Sequence, residues 1–310
     1  MLNKFLKHLP SKVRLVEVGP RDGLQNEKTI VSLSDKIQFI KKLSDSGIAE
    51  IEATSFVRGD KIPQMSDGAD LYKGLKKEID SNKTRLISLV PNLKGMDSAL
   101  LAGVQNMAIF TATSNTFNQK NINASIDESL FKIEEVMKVA KKNNISTRGY
   151  ISTVFGCPYE GRTSLKELKR VAFALKSMGV DEISLGDTIG VAHPKQVCEV
   201  INYLSDDFSL DFLAMHFHDT RGLAVANVLA SLEMGISSFD SSAAGLGGCP
   251  YAPGSSGNVA TEDLVYLFHS MGIETGIDIK KLAEASSFIL NILNKKSNSK
   301  YLNAYLSSGY

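Results

Sequence analysis

The chain has 310 residues, 43% of them apolar, with 35 basic and 34 acidic side chains. That near balance excludes the broad positive field needed to bind nucleic acid or an anionic membrane surface, and no apolar run approaches the roughly 18 to 20 residues that cross a bilayer. Three widely spaced cysteines exclude a disulfide framework or a CxxC zinc pair; with only Met1 to Lys7 before the first strand, too short for a signal peptide, a cytoplasmic protein is expected.

Short runs rich in Val, Ile, Phe and Thr recur along the chain with helix-like stretches between them. Strands are predicted at 13–19, 50–56, 85–90, 106–113, 146–155, 182–188, 213–219 and 238–245. Helices are predicted at 34–46, 66–77, 125–142, 163–177, 194–205 and 221–234, several opened by caps such as Ser34, Ser125 or Thr163 and closed near Gly47, Gly179 or Gly235. Eight such units predict an α/β fold of the (β/α)8 TIM-barrel class over residues 1–275. The rival, a doubly wound open sheet, needs a GxGxxG turn after its first strand, and Gly19-Pro20-Arg21-Asp22-Gly23 stands there instead. A further helix at about 278–294 and a polar tail read as a C-terminal helical extension, 276–310, packed on the barrel.

In such a barrel the active site lies at the C-terminal ends of the strands. The polar residues gather there: Arg21 and Asp22 after strand one, Glu52 in strand two, Arg148 and Tyr150 in strand five, Asp187 at the end of strand six, His216 and His218 in strand seven, and Cys249 and Asn258 beyond strand eight. Two histidines at i and i+2 on a strand share a face and can share a cation. With the Asp22 carboxylate and the Asn258 amide oxygen they make a mixed N/O set that suits a divalent cation, Mg²⁺ or Mn²⁺ before Zn²⁺ or Co²⁺. Such a cation leaves positions open for a substrate hydroxyl and a neighbouring carbonyl, and acidifies the hydroxyl.

Arg21 beside that set is suited to stabilise oxygen charge that develops in a transition state, such as an enolate, and Gln25 in the same loop to orient a substrate oxygen. Glu52 and Asp187 are carboxylates in strands, so each requires a partner; orienting Arg21 or a ligand imidazole is the role expected of them. Arg148 and Tyr150 are expected to contact substrate. Cys249 lies in Gly245-Leu246-Gly247-Gly248-Cys249-Pro250-Tyr251-Ala252-Pro253-Gly254-Ser255-Ser256-Gly257-Asn258, a close-approach loop built around a thiol able to exchange a proton with substrate. Glu262 reads as compensation of a helix dipole, and Cys157 and Cys198 as packing residues.

With these residues in view, the chain resembles the hydroxymethylglutaryl-CoA lyase family, within a metal-dependent TIM-barrel group that also holds isopropylmalate and homocitrate synthases. The likeness runs through Val18-Gly19-Pro20-Arg21-Asp22-Gly23-Leu24-Gln25-Asn26-Glu27, IEATSFV at 51–57, KNINAS at 120–125, RGYIS at 148–152, Gly186-Asp187-Thr188-Ile189-Gly190, the run HFHDTRG from His216, and the cysteine loop. The resemblance implies Asp22, His216, His218 and Asn258 as metal ligands, Arg21 at the enolate oxygen, Cys249 as proton donor to the acetyl carbanion, and His216 or Asp22 as base or relay. The implied reaction is a retro-Claisen-type cleavage of 3-hydroxy-3-methylglutaryl-CoA to acetyl-CoA and acetoacetate. A longer branched 3-hydroxyacyl-CoA, or a condensing synthase reaction, is the alternative. The partners implied are an acyl-CoA substrate and a second copy of the chain in a homodimer, with no nucleic acid and no membrane. Asn115, where relatives usually carry Glu, and His193 depart from the pattern, and the C-terminus lacks an SKL-type address.

Overall fold

A computed structural model of the protein describes residues 9–248 and 257–308. Eight parallel strands close into a TIM barrel in chain order: β1 (Arg14–Glu17), β2 (Glu50–Ser55), β3 (Arg85–Leu89), β4 (Asn106–Ala112), β5 (Ser146–Ser152), β6 (Glu182–Asp187), β7 (Leu213–Phe217) and β8 (Ser238–Ser241). The ring is sealed by β1 against β8, with Arg14 opposite Ser238 and Glu17 opposite Ser241. Around it lie α1 (Leu33–Asp45), α2 (Gly68–Glu78), α3 (Leu93–Ala102), α4 (Asn115–Ile122), α5 (Ile126–Lys142), α6 (Leu165–Ser177), α7 (Pro194–Ser205), α8 (Ala224–Glu233), α9 (Thr261–Ser270), α10 (Ile279–Leu293) and α11 (Lys300–Ser307). Among the described residues no helix is long and apolar enough to cross a membrane.

The strands alternate as a covered barrel requires. On β7, Leu213, Met215 and Phe217 join the apolar layer between barrel and helices, which leaves Ala214 and His216 to the interior. α6 shows the matching helical stripe, burying Leu168, Val171, Ala172 and Leu175 at spacings of three and four. Inside the barrel, Val16, Val18, Ile87, Leu89, Ala108 and Tyr150 form a separate apolar plug. At the opposite end from the site, the N-terminal ends of the strands carry an ionic ring: Arg14 pairs with Glu50 at 3.0 Å, Arg85 with Glu50 at 3.5 Å, and Arg14 and Arg148 both with Glu182. The barrel is therefore a filled core with chemistry at one mouth.

Several predicted boundaries move. The helix predicted from residue 34 starts at Leu33 because Ser32, not Ser34, is its cap, accepting from the Asp35 amide at 3.1 Å. Ser164 rather than Thr163 caps α6, while the Thr163 hydroxyl donates to the Val154 carbonyl at 2.6 Å. Ser125 forms the expected cap, as a full capping box with Glu128. The predicted strand 146–155 stops at Ser152, where Thr153 takes a φ of 60° and turns the chain. Strand 238–245 stops at Ser241, ahead of a tight turn over Ala243–Gly245. α3, α4 and α11 lie outside the predicted helices: α3 carries a glycine within a short apolar run, α4, NTFNQKNI, is too polar to show a stripe, and α11 falls in the stretch read as a polar tail. The C-terminal helices brace the site end of β8. α10 packs on α1 and on the Ala243–Gly245 turn, and Asn298 ahead of α11 donates to the carbonyls of Ala244 and Gly245.

Candidate active site

The first functional segment follows β1. Gly19–Gly23 forms a single π-helical turn, with the Gly23 amide donating to the Val18 carbonyl at 3.1 Å. Such turns insert one extra residue and cluster at functional sites; this one carries Arg21 and Asp22 into the barrel mouth. The buried Arg21 guanidinium lies between two carboxylates, with Nη1 2.7 Å from Asp22 Oδ1 and Nη2 2.7 Å from Glu52 Oε2, and its Cζ stands 5.6 Å from the centre of the Tyr150 ring. Burial disfavours its charge, but Glu52 and Asp22 outweigh that and keep it a cation. Among the described residues its Nε is buried with no hydrogen-bond partner, a donor left over for something else.

The second segment is β7 and the strand-like piece beyond it. His218 stands one residue past β7, not within it, and bridges to Asn258 in antiparallel fashion. The Val259 amide donates to the Phe217 carbonyl at 3.0 Å and the Asp219 amide to Gly257 at 2.9 Å. The chain from 257 to 261 thus crosses the tops of β7 and β8 and delivers Asn258 to the histidines. Asn258 Nδ2 donates to Asp22 Oδ2 at 2.9 Å and to the Leu246 carbonyl at 3.1 Å, while its buried Oδ1 has no partner among the described residues. Gly247 makes this approach possible: at φ 121°, a Cβ there would lie 2.7 Å from Asn258 Nδ2.

Ligand atoms of Asp22, His216 and His218 all lie within 4.8 Å of one another. The donor set fits a divalent cation on its own chemistry. Asp22 is pulled down to about 2: burial opposes this, and Arg21, the two histidines and the Asn258 amide overcome it, so its carboxylate is charged. His218 is pushed down to about 4 by burial and by His216, so its imidazole is neutral, the form that binds metal. Among the described residues the His218 Nδ1 and the Asn258 Oδ1, the latter an acceptor only, are buried without hydrogen-bond partners, and a bound ion would compensate such burial.

A family model described as HMGL-like matches residues 12–289. The chain belongs to the HMGL-like family. It is 50% identical over 95% of its length, and 90% of the relative's, to the mitochondrial hydroxymethylglutaryl-CoA lyase of Bos taurus. A solved hydroxymethylglutaryl-CoA lyase from Pseudomonas aeruginosa superposes with a TM-score of 0.94 at 45% identity, covering 97% of this chain and 99% of that one. An HMG-CoA lyase from Acinetobacter baumannii, solved with coenzyme A and 3-methylmalate, gives 0.90 at 36% identity, covering 95% of each.

Within this HMGL-like barrel the other expected site residues fall into distinct places. Glu52 is fully buried and bound to Arg21. Asp187 accepts from the amides of Val191 at 2.9 Å and Ala192 at 3.0 Å, so it shapes the loop after β6; burial raises it to about 6. Arg148, expected at substrate, lies inside the barrel with its guanidinium engaged by Glu182, by Asp240 at 2.6 Å and by the Tyr150 hydroxyl at 3.1 Å. Tyr150 meets His216 edge-on at 6.2 Å between centroids. Gln25 is half-buried one turn beyond Arg21. Cys249 lies outside the described residues. Asn115 accepts from the Ile126 amide at 2.9 Å, and His193 caps α7 by accepting from Gln196 at 3.3 Å, so both departures have local structural work.

Two residues that sequence reasoning passed over are central. Asp240, in the middle of β8, stands 3.0 Å from His216 Nδ1. Its position in SFDS, a carboxylate at the inward parity of a buried strand, was the available signal. Glu17, at the end of β1, is fully buried and accepts from the Gly19 amide at 2.7 Å, the Ala243 amide at 2.9 Å and the Thr261 hydroxyl at 2.6 Å. It ties together the segments that carry Arg21, the β8 loop and Asn258. Glu262, read as dipole compensation, is instead fully buried and holds the Ala244 amide at 2.9 Å, where Ala244 takes a φ of 57°.

Proposed function

We propose that the protein is a divalent-metal-dependent lyase that cleaves 3-hydroxy-3-methylglutaryl-CoA to acetyl-CoA and acetoacetate. The observation that carries the chemistry is the convergence of Asp22, His216 and His218 within 4.8 Å, beside an arginine whose buried Nε has no partner among the described residues. The substrate comes from half-identical relatives bearing that name and from the coenzyme A bound to a solved relative that is 36% identical. Asp22, His216, His218 and Asn258 would hold the cation, which when bound supplies the Lewis acidity that lowers the pKa of the substrate's tertiary hydroxyl.

The chain's own residues do the rest. His216 or Asp22 takes the hydroxyl proton as base or relay and passes it to water. As the C2–C3 bond breaks, its electron pair passes into the thioester to give the enolate of acetyl-CoA, and C3 becomes the ketone of acetoacetate. Arg21, locked between Asp22 and Glu52, offers Nε and the edge of its guanidinium to the enolate oxygen without reorganising. Cys249 gives its thiol proton to the acetyl carbon, and its thiolate regains a proton from water, which received the one from the hydroxyl, so the cycle balances. Gln25 and Tyr150 line the substrate space in this reading. Glu52 acts through Arg21, Asp187 through the β6 loop, and Arg148 through Asp240. Residues 1–275 form the catalytic barrel and 276–310 a brace for the β8 loop; a homodimer in the cytoplasm completes the proposal, with light scattering and cell fractionation as its checks.

The test is turnover of a panel of 3-hydroxyacyl-CoA thioesters with defined metals. Cleavage of hydroxymethylglutaryl-CoA that stops with EDTA, returns with Mg²⁺ or Mn²⁺, and collapses in Cys249→Ala is expected. Preference for a longer branched thioester would replace the substrate assignment, and undiminished turnover in Cys249→Ala would remove the proton donor.

A further inference from the structure

Asp240 is a carboxylate engaged by three other side chains inside the barrel. It sits on β8 with its side chain inward and fully enclosed, and three other strands address it. From β5, Arg148 Nη1 lies 2.6 Å from Oδ1. From β6, the Ser184 hydroxyl donates to Oδ2 at 2.8 Å. From β7, His216 Nδ1 lies 3.0 Å from the same Oδ2. Arg148 is itself fixed by Glu182 on β6 and by the Tyr150 hydroxyl at 3.1 Å. The carboxylate is thus held from three sides, and the Arg148 guanidinium against Oδ1 supplies the opposite charge that a buried carboxylate requires.

An ionised carboxylate only accepts hydrogen bonds, so the nitrogen facing Oδ2 must carry a proton. We infer that Asp240 is a positioning residue that fixes His216 as the Nδ1–H tautomer, leaving Nε2 bare and turned to the space shared with Asp22 and His218. The ligand set is thereby assembled before a cation arrives. His218 differs: its Nδ1 has no partner among the described residues, so of the two imidazoles it is His216 that carries the fixed orientation. A carboxylate behind a ligand imidazole sets both ring orientation and ligand basicity, and its removal typically costs about 10- to 100-fold in metal affinity. The inference rests on the cation-site reading above, and it adds a chain of residues, Arg148, Asp240 and Ser184, that reaches the site only through His216.

The experiment is Mn²⁺ binding followed by electron paramagnetic resonance on the full chain, without substrate, for the unaltered protein, Asp240→Asn and Ser184→Ala. Affinity is expected to fall about 10- to 100-fold in Asp240→Asn and less in Ser184→Ala, with far-UV circular dichroism unchanged. A companion measurement needs no stable Asp240 variant: the histidine ring ¹⁵N spectrum of the Mg²⁺-loaded protein, with His216 assigned through His216→Gln, should show the proton on Nδ1. Equal Mn²⁺ affinity in Asp240→Asn, or a proton on Nε2 of His216, overturns the role of Asp240 alone. Failure of the unaltered protein to bind Mn²⁺ overturns the cation site and this inference with it.

Discussion

Glu17 gives the sharpest quantitative prediction, because its burial and its three bonds fix both a sign and a size. Burial raises it from 4.5 to about 7, and the bonds from Thr261, Ala243 and Gly19 only partly offset that. Below pH 4.5 the group is neutral in both the folded and unfolded chain and contributes no pH dependence. Between 4.5 and about 7 the unfolded chain has released the proton while the folded protein keeps it, so stability falls as pH rises. Above about 7 the loss levels off. At about 1.4 kcal/mol per pH unit, the full loss is about 3 kcal/mol, of which about 2 to 3 kcal/mol falls between pH 5 and pH 8.

Glu17→Gln keeps an acceptor for the two amides and cannot ionise. Its stability should therefore vary less with pH than that of the unaltered protein, by about 2 to 3 kcal/mol over that interval. The weakened bond to Thr261 makes the variant the less stable of the two at pH 5, about 1 kcal/mol below the unaltered protein, and the curves cross before pH 8. Urea unfolding at pH 5, 6, 7 and 8 measures this; far-UV circular dichroism is the probe, since the chain has no tryptophan. Glu262, also raised to about 7 by burial with a smaller push from Glu17, titrates in both proteins, so the burial part of its contribution cancels in the difference. Parallel curves for the two proteins would show that Glu17 keeps its charge on folding and refute the reasoning.

Three further outcomes follow from the site. Arg21→Lys loses the Nε donor and the fork between Asp22 and Glu52, and kcat should fall about 100- to 1,000-fold with a smaller change in KM. Gly247→Ala places a Cβ 2.7 Å from Asn258 Nδ2 at a φ of 121°; stability should drop by about 1 to 3 kcal/mol in thermal unfolding, and turnover should fall with it as Asn258 is displaced. His218→Ala removes a neutral imidazole from the cation set, so Mn²⁺ affinity measured by titration calorimetry should fall by at least about 10-fold, while removal of metal by EDTA should leave both proteins folded.

The barrel was readable because its signal is repeated. Eight apolar strand runs alternating with striped helices leave few alternatives, and β1 to β8 lie where the runs occur. Strand ends were not readable, because they are set by partners: Ser152 ends β5 where Thr153 turns, and Ser241 ends β8 where Glu262 captures the next turn. α4 escaped because its two turns carry no apolar stripe. The Asp22 and His216/His218 grouping was visible because a period of two puts both imidazoles on one face, and the rules of the barrel bring β1 and β7 to the same mouth.

By itself, then, the sequence determined the residue types and the periodicities, and through them the barrel and the identity of the donors that meet at its mouth. The tertiary structure alone decided which groups stand behind those donors. Asp240 against His216, Arg148 behind Asp240, and Glu17 joining Gly19, Ala243 and Thr261 are contacts between residues up to 244 positions apart. Their pairing depends on strand register and on which neighbour satisfies a buried charge, and neither quantity is written in any local stretch of chain.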